Sequence, residues 1–356
     1  MNIVTVGYLH GAGGAERQIV LLSNQLAKRD HVVSLCVLAE NKSKYPIDNS
    51  VNVIDLSQVE GTGPLRIIKR FIAFRRTIKK IRPEVIINYN IQSAFFCLPL
   101  SISKRLQIIY SERSDPYDSE YKGLLGFIRN FTVARMDGLV FQSEGARDFF
   151  PEPVRRKSTV IHNSVNVPQD RFPIPESREK RIVSVGRLHP QKNHYLLINA
   201  FSQIAHKYPD YVLDIYGDGD LHDDLQKQID NIGLSEQIYI HSSRKDVWNY
   251  IHKAALFVLT SDYEGMPNAL MEAMALGLPC ISTDCRPGGA RTLITDGVNG
   301  YIVPVHDVNI LAHRMDYLLS NHIEANRIGN EARHLQDTHS ELAIFNQWNE
   351  FLHSLR

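Results

Sequence analysis

The chain has 356 residues, more than one ordinary hydrophobic core accommodates, so its length points to two domains. With 43% hydrophobic and 22% charged residues it is globular rather than disordered, and a formal net charge of +1 excludes any global drive toward nucleic acid. The four cysteines, Cys36, Cys97, Cys280 and Cys285, form neither a C-x-x-C pair nor a zinc spacing, which fits reduced thiols in the cytoplasm.

In chain order, NIVTVGYL reads as a buried strand rather than a secretory leader, because it lacks a basic n-region and runs into glycine. The glycine-rich turn GAGGAER (Gly11 to Arg17) follows, then AERQIVLLSNQLAKR with helical apolar spacing. HVVSLCVLA, VNVIDL, PEVIINY, LQIIYSE and DGLVFQS continue as strands separated by helices or loops. Between two of them lies RIIKRFIAFRRTIKKIRP (Arg66 to Pro83), a helix with basic residues interleaved among Ile and Phe. No uninterrupted apolar run reaches the roughly 20 residues of a bilayer span. DRFPIPESREKR (Asp170 to Arg181) reads as a linker, after which the pattern restarts with RIVSVG, YVLDIYG, QIYIHS, ALFVLTS and LPCISTD. SELAIFNQWNEFLHSLR closes the chain as an amphipathic helix. Such alternation predicts two doubly wound parallel α/β domains, over residues 1–170 and 171–337, followed by the terminal helix 338–356. Open α/β sheets bind ligands beyond the carboxyl ends of their strands, so the loops there, facing a cleft between the domains, are where chemistry is sought.

Five stretches stand out. In SDYEGMPNALMEAMALGLPCISTD, Pro267 suits a first helical position and Gly277 the turn beyond the end, giving a helix over about Pro267 to Leu276. Its first free N–H groups, on Asn268, Ala269 and Leu270, make an anion site, and Glu272 shares a face with Asn268 while Glu264 lies in the preceding loop. In SVGRLHPQKNH, Arg187 and Lys192 are held at a strand end, a fork and a point charge suited to a diphosphate, and Asn193 is a helix N-cap. GAGGAER lets a ligand approach bare backbone at Gly13 and Gly14, but it is no dinucleotide fingerprint, since Glu16 stands where a third glycine belongs. YGDGDLH fails the same pattern at His222, and its Asp218 and Asp220 read as a strand-to-helix turn in preference to a metal-binding Asp-x-Asp. YSERSDPYD gathers Glu112, Arg113 and Asp115 at another strand end. Read singly, each loop also fits an ordinary charged turn, and the Arg66 to Arg82 helix fits an anionic membrane surface as well as a plain surface helix.

In combination, GGAER, SVGRLHPQKN, YGDGDL and EGMPNALMEAMALGLPCISTD resemble, in order and spacing and over nearly the whole chain, the retaining glycosyltransferases of family four (group 1), which have the GT-B fold of two Rossmann-like domains. Glu264 and Glu272 match that family's Glu-x7-Glu element. The resemblance implies that Arg187 and Lys192 hold the diphosphate of a nucleotide sugar and stabilise the leaving nucleotide without a metal or other cofactor. It implies that Glu272 binds the ribose, that Glu264 contacts the transferred sugar, that Gly13 and Gly14 let the N-terminal domain close over the phosphates, and that the terminal helix 338–356 packs back on the N-terminal domain. Two departures are visible. Many members carry a histidine where Arg113 follows Glu112, and many carry Gly-Pro and then Glu where this chain has RPGGARTLI (Arg286 to Ile294), which bears on donor preference.

The expected protein is therefore a cytoplasmic, membrane-associated retaining hexosyltransferase. Its donor is a nucleotide sugar, UDP-linked. Its acceptor is a lipid-linked saccharide of surface polysaccharide or lipopolysaccharide assembly, with Glu112 and Arg113 on the acceptor side and the Arg66 to Arg82 helix on the inner face of the membrane. No nucleic acid is expected as a partner. The rivals are a sugar-nucleotide epimerase of the same fold, which needs no acceptor, and a non-catalytic glycan- or nucleotide-binding subunit.

Overall fold

The computed structural model describes residues 1–9, 11, 13–43, 45–101, 105–117 and 122–355; Ala12 and Asp118 of the loops quoted above lie outside them. The chain divides into two units, Met1–Ser164 with Glu341–Arg356, and Val165–Ser340.

Unit 1 runs β1 (Asn2–Leu9), α1 (Gly14–Ala27), β2 (Val32–Asn41), β3 (Asn52–Asp55), α2 (Gly63–Ile81), β4 (Val85–Asn88), α3 (Ile91–Cys97), β5 (Gln107–Ser111), α4 (Gly123–Ala134), β6 (Gly138–Phe141), α5 (Glu144–Asp148), α6 (Glu152–Arg155) and β7 (Ser158–Val160). Its strands form one parallel seven-stranded sheet in the order β3-β2-β1-β4-β5-β6-β7. Both faces must be covered, because strands such as β1 and β4 are apolar on both sides. One face packs Val6, Ile86, Ile108 and Phe141 under α2, α3 and the end of α4.

Unit 2 runs β8 (Glu179–Val185), α7 (His194–Ile204), β9 (Val212–Tyr216), α8 (His222–Asn231), β10 (Ile238–His241), α9 (Trp248–Ile251), β11 (Ala254–Leu259), α10 (Asn268–Ala275), β12 (Cys280–Thr283), α11 (Gly289–Leu293), β13 (Tyr301–Val303), α12 (Val308–Ser320), α13 (His322–Arg333) and α14 (Leu335–His339). Its sheet is parallel, with six strands in the order β10-β9-β8-β11-β12-β13. In both sheets the order reverses beside the first strand, the feature of doubly wound folds that places loops from both directions at one end.

The last helix, α15 (Glu341–Ser354), belongs to unit 1. Ile344, Phe345, Trp348 and Leu352 are buried with Ile19 and Leu26 of α1 and with Ile3, Val33 and Ile87, covering the second face of the sheet. Tyr89 stacks on Trp348 at 6.4 Å, and the Arg29 guanidinium lies 4.2 Å over the Phe345 ring.

Two expectations change. The stretch read as a linker lies inside unit 2: Phe172 is buried in its core beside Val165 and Val167, and Glu179 to Arg181 open β8. Its Pro and charged residues surround one anchoring aromatic, which composition averages away. β7 and β13 were missed because three residues, STV and YIV, are too short to show a period.

The chain carries two tryptophans, Trp248 in unit 2 and Trp348 in unit 1, so the units can be followed separately. In a Trp248→Phe background, Phe345→Ala should lower the urea midpoint reported by Trp348 fluorescence, with a loss of about 3–5 kcal/mol for a buried aromatic truncated to a cavity.

Candidate functional site

Strands β9, β8, β11 and β12 are neighbours in one parallel sheet, so the loops after them collect at its carboxyl end. The loops after β8 and β9 are held together by backbone. Leu188 N–H donates to the Asp218 carbonyl at 2.9 Å, Leu221 N–H to the Leu188 carbonyl at 3.1 Å, and Gly186 N–H to the Tyr216 carbonyl at 3.0 Å. A Cβ on Gly217 would overlap the Gly186 carbonyl oxygen, and one on Gly219 the Leu188 carbonyl. The two glycines of YGDGDL thus serve close contact between two loops. Asp218 is occupied by Ser243, accepting from its N–H at 3.1 Å and from its hydroxyl.

The loop after β8 turns through Pro190–Lys192 as a single 3-10 turn, and Asn193, at φ 44°, caps α7 by accepting from Leu196 N–H at 3.2 Å, as its sequence position predicts. Arg187 is exposed and donates to Gln191 Oε1 at 3.1 Å. Gln191 in turn ties this loop to the one after β11, donating to the Tyr263 carbonyl at 2.8 Å and accepting from Asp262 N–H at 2.8 Å. Thr260 Oγ1 donates to the Lys192 carbonyl at 2.9 Å, and Asn193 Nδ2 to Asp262 Oδ1 at 2.8 Å.

That stitching brings together two of the charges singled out in the sequence. Lys192 Nζ and Glu264 Oε1, 72 positions apart, form a largely buried ion pair. Ser261 Oγ donates to the same carboxylate oxygen at 2.7 Å, and Glu264 N–H donates to the Arg286 carbonyl at 2.8 Å. Burial, with the Glu264 charge behind it, pushes the neighbouring Cys285 thiol up to about 12, which keeps it protonated.

α10 begins three residues after Gly265. Pro267 is its N-cap, at φ −78° and ψ 94°, so the helix starts at Asn268, one residue later than the sequence suggests. No side chain caps it; the N–H groups of Asn268, Ala269 and Leu270 are the first of the helix. It ends as expected at Gly277, φ 78°, with Gly277 N–H to the Met274 carbonyl at 2.8 Å and Leu278 N–H to the Ala273 carbonyl at 3.0 Å. Leu270, Met271, Ala273 and Met274 are buried, and Asn268 and Glu272 share the half-buried face. Glu272 Oε2 accepts from Trp248 Nε1 of α9 at 2.8 Å. The sequence reading singles out neither Trp248 nor Gln191: Trp248 reaches Glu272, 24 positions away, and Gln191 ties its loop to Tyr263, 72 positions away, and no local pattern marks either contact.

The other residues lie in unit 1, at the carboxyl ends of β1 and β5. Gly13 is the N-cap of α1 and Gly14 its first residue, both exposed, with the Glu16 carboxylate beside Gly13 and accepting from Gly11 N–H at 2.8 Å. Glu112 is buried and closes its own loop, accepting from the Tyr110 hydroxyl at 2.6 Å, Ser114 Oγ at 2.7 Å and Arg113 N–H at 3.0 Å. Arg113 donates to Asn163 Oδ1 at 2.9 Å and lies over the Tyr89 ring at 4.8 Å and the Trp348 ring at 5.8 Å. Burial lowers its pKa, partly offset by Tyr89 and Glu112. Among the described residues no group of three His, Cys, Asp or Glu is placed to hold a metal ion.

Two family profiles match adjoining parts of the chain: Glycosyl transferases group 1 over residues 166–335 and Glycosyltransferase Family 4 over residues 12–169. The amylovoran biosynthesis glycosyltransferase of Erwinia amylovora is 23% identical over 364 residues, 98% of this chain and 99% of that one. A Campylobacter jejuni protein is 25% identical over 327 residues, 90% of each chain; it is named as the alpha-1,4-N-acetyl-D-galactosaminyltransferase acting on GalNAc-alpha-(1->4)-GalNAc-alpha-(1->3)-diNAcBac-PP-undecaprenol. The crystal structure of Anabaena HepE in complex with UDP superposes with a TM-score of 0.79, at 18% identity, over 99% of this chain and 100% of that one, and shows the shared fold.

His194 opens α7 behind Lys192 and is buried. Burial first, and the Lys192 charge second, lower its pKa to about 4 from 6.5. The unfolded chain takes up this proton near 6.5 and the folded chain resists it, so stability is full above that pH and is lost as pH falls toward 4. Unit 2 should lose on the order of 3 kcal/mol across that window from this group. In His194→Leu, urea midpoints measured between those pH values should show a correspondingly flatter slope.

Proposed function

The chain belongs to the group 1 glycosyltransferases and has their GT-B fold, and on that premise we propose that it is a retaining enzyme moving a hexose or N-acetylhexosamine from UDP to a lipid-linked saccharide in surface polysaccharide assembly. The observation that carries the donor reading is the Lys192–Glu264 pair beside the start of α10, with Arg187 on the same loop as Lys192. A sugar nucleotide has a dianion between two sets of hydroxyls. Lys192, Arg187 and the N–H groups of Asn268, Ala269 and Leu270 meet the dianion. Glu264 accepts from hydroxyls of the transferred sugar and Glu272, oriented by Trp248, from those of the ribose. UDP is supported by its presence in the HepE complex, and a lipid-linked acceptor by the name of the Campylobacter relative.

In the reaction the bond between the anomeric carbon and the diphosphate oxygen breaks, an acceptor hydroxyl oxygen bonds to that carbon on the same face, and the hydroxyl proton passes to the departing phosphate oxygen. The negative charge grows on the departing UDP. Fixed cations and oriented N–H groups stabilise it more in the transition state than in the bound donor, which is how they accelerate the step. Charge compensation by Arg187 and Lys192 makes the enzyme metal-independent in this reading. In unit 1, Gly13 and Gly14 offer bare backbone at the end of β1, and Glu112 and Arg113 stand on the acceptor side, their loop held by Tyr110 and Asn163. The α2 helix, with seven Lys or Arg and no acidic residue, holds the enzyme at the cytoplasmic face of an anionic membrane where such an acceptor resides. Among the described residues no helix is long and apolar enough to cross a membrane.

Lys192→Ala should lower kcat for transfer by about 10²–10³, and Glu272→Ala should raise the Kd for UDP about tenfold or more, the cost of a lost charged hydrogen bond. Both are read by coupled UDP release and calorimetry on folded protein, in chelator as well as in buffer; wild-type behaviour of either variant contradicts its role. Product anomeric configuration by NMR tests retention. Release or rearrangement of sugar from donor alone, at the rate seen with acceptor, would favour the epimerase.

Reversing Arg75, Arg76, Lys79 and Lys80 to Glu should weaken binding to anionic vesicles by on the order of a thousandfold or more, at about 1 kcal/mol per cation. Unchanged co-sedimentation contradicts the membrane role of α2.

A further inference from the structure

Helix α4 is built inside out. It buries Gly126, Arg129, Thr132 and Val133. Leu124, Leu125, Phe127, Ile128 and Phe131 face outward, with Leu124 73% and Phe127 68% exposed. Those five positions follow i, i+1, i+3, i+4 and i+7, one continuous stripe along the helix. Arg129 is turned inward, donating to the Pro116 carbonyl at 2.7 Å with its guanidinium 4.7 Å over Phe149. Hiding an arginine while leaving two phenylalanines in water is unfavourable unless something covers the stripe.

The neighbouring α2 turns apolar residues inward as an ordinary amphipathic helix does, but it too leaves apolar residues outside. Of its nineteen residues only Phe74 and Ile78 are buried, while Leu65, Ile67, Ile68 and Ile72 stay outside among the cations. The two helices lie on one face of the unit 1 sheet, with α3 packed against both: Phe71 and Phe74 of α2 meet Phe96 of α3 at 6.1 Å, and α4 contacts α3 directly. Neither helix carries an aspartate or glutamate.

We propose that α4 and α2 together form a docking face for an anionic lipid bilayer, in which α4 inserts its leucines and phenylalanines at the headgroup boundary and α2 supplies the charge. This rests on the membrane reading of α2 given above and extends it to a second helix and a second physical term. The chain as a whole carries a formal charge of only +1, so the basic strip is a local feature rather than a consequence of bulk composition. A second copy of the chain is a poor occupant: a two-fold interface would set the cations of α2 against themselves. A bilayer with acidic headgroups satisfies both halves of the surface, since interfacial helices bind through buried apolar area plus attraction to anionic lipid.

The full chain is mixed with phosphatidylcholine vesicles with and without phosphatidylglycerol. Binding should require phosphatidylglycerol. The paired change Leu124→Ser with Phe127→Ser should weaken it at least about tenfold, with α2 intact and with turnover on a water-soluble acceptor unchanged. All four native cysteines are buried, so Phe127→Cys can be labelled selectively with an environment-sensitive dye, whose emission should shift to the blue on these vesicles. Undiminished vesicle binding by the serine variant, or a dye that stays in water, overturns the proposal. So does a sedimentation coefficient that falls from dimer to monomer in the serine variant without vesicles, which would make the stripe a self-association surface. Lost transfer to the soluble acceptor in an otherwise vesicle-binding wild-type preparation would sink the transferase reading and leave the docking face standing.

Discussion

The site in unit 2 is organised around one ion pair, Lys192 with Glu264. Two charges withdrawn from water lose hydration that their mutual attraction only partly returns, so each depends on the other and on nearby donors. Ser261 gives the carboxylate a further hydrogen bond, and the turn around Gln191 and Asp262 holds the two loops at a fixed separation. On the proposed reading this pair is also what makes the site receptive. A diphosphate offers Lys192 a partner with more charge than one carboxylate, and Glu264 then turns its lone pairs to sugar hydroxyls. The exchange trades one charge-assisted contact for two, which keeps the cost of desolvating the site low while its affinity for a dianion stays high.

Much of the rest follows from how closely backbone can approach backbone. Gly217 and Gly219 allow the loop after β9 to lie on the loop after β8, and this contact presents Arg187 and Lys192 from a rigid turn instead of a mobile one. The start of α10 is left without a side-chain cap, and Pro267 before it contributes no N–H, so the first donors of the helix belong to Asn268, Ala269 and Leu270. Trp248 fixes one oxygen of Glu272 from a separate helix. Precise placement of few groups, rather than many contacts, is what the proposed leaving-group site requires.

The architecture was legible in the sequence because parallel strands buried on both faces, such as VIIN and GLVF, read as short apolar runs between helical patterns. Helix ends were legible where they are chemical: Asn193 caps, and Gly277 takes the left-handed turn. What could not be read depends on distant partners. Nothing near Trp248 points to Glu272, and nothing near Gln191 points to Tyr263. YGDGDL reads as a strand-to-helix turn, but nothing in it shows that its glycines serve close contact with the backbone of Gly186 and Leu188. α4 was invisible for the opposite reason. Its pattern is amphipathic, and amphipathic patterns are ordinarily taken to point the apolar side inward; only the burial of Arg129 reveals that the helix faces the other way.

The segment RPGGARTLI, where the chain departs from its family's pattern, acts on the site through Glu264. The Arg286 carbonyl accepts from Glu264 N–H at 2.8 Å, and Tyr263 and Arg286 form a short parallel bridge. Gly288 adopts φ 94°, and a Cβ on Gly289 would overlap the Gly265 carbonyl oxygen. The backbone on either side of Glu264 is therefore seated directly on this loop, and a bulkier residue at position 289 would push Gly265 away. On the proposed reading, a change in the loop thus reaches the donor sugar by moving Glu264. Gly289 keeps Glu264 close to α11, and that closeness, more than any new side chain, is how this departure would set which hydroxyls the carboxylate meets.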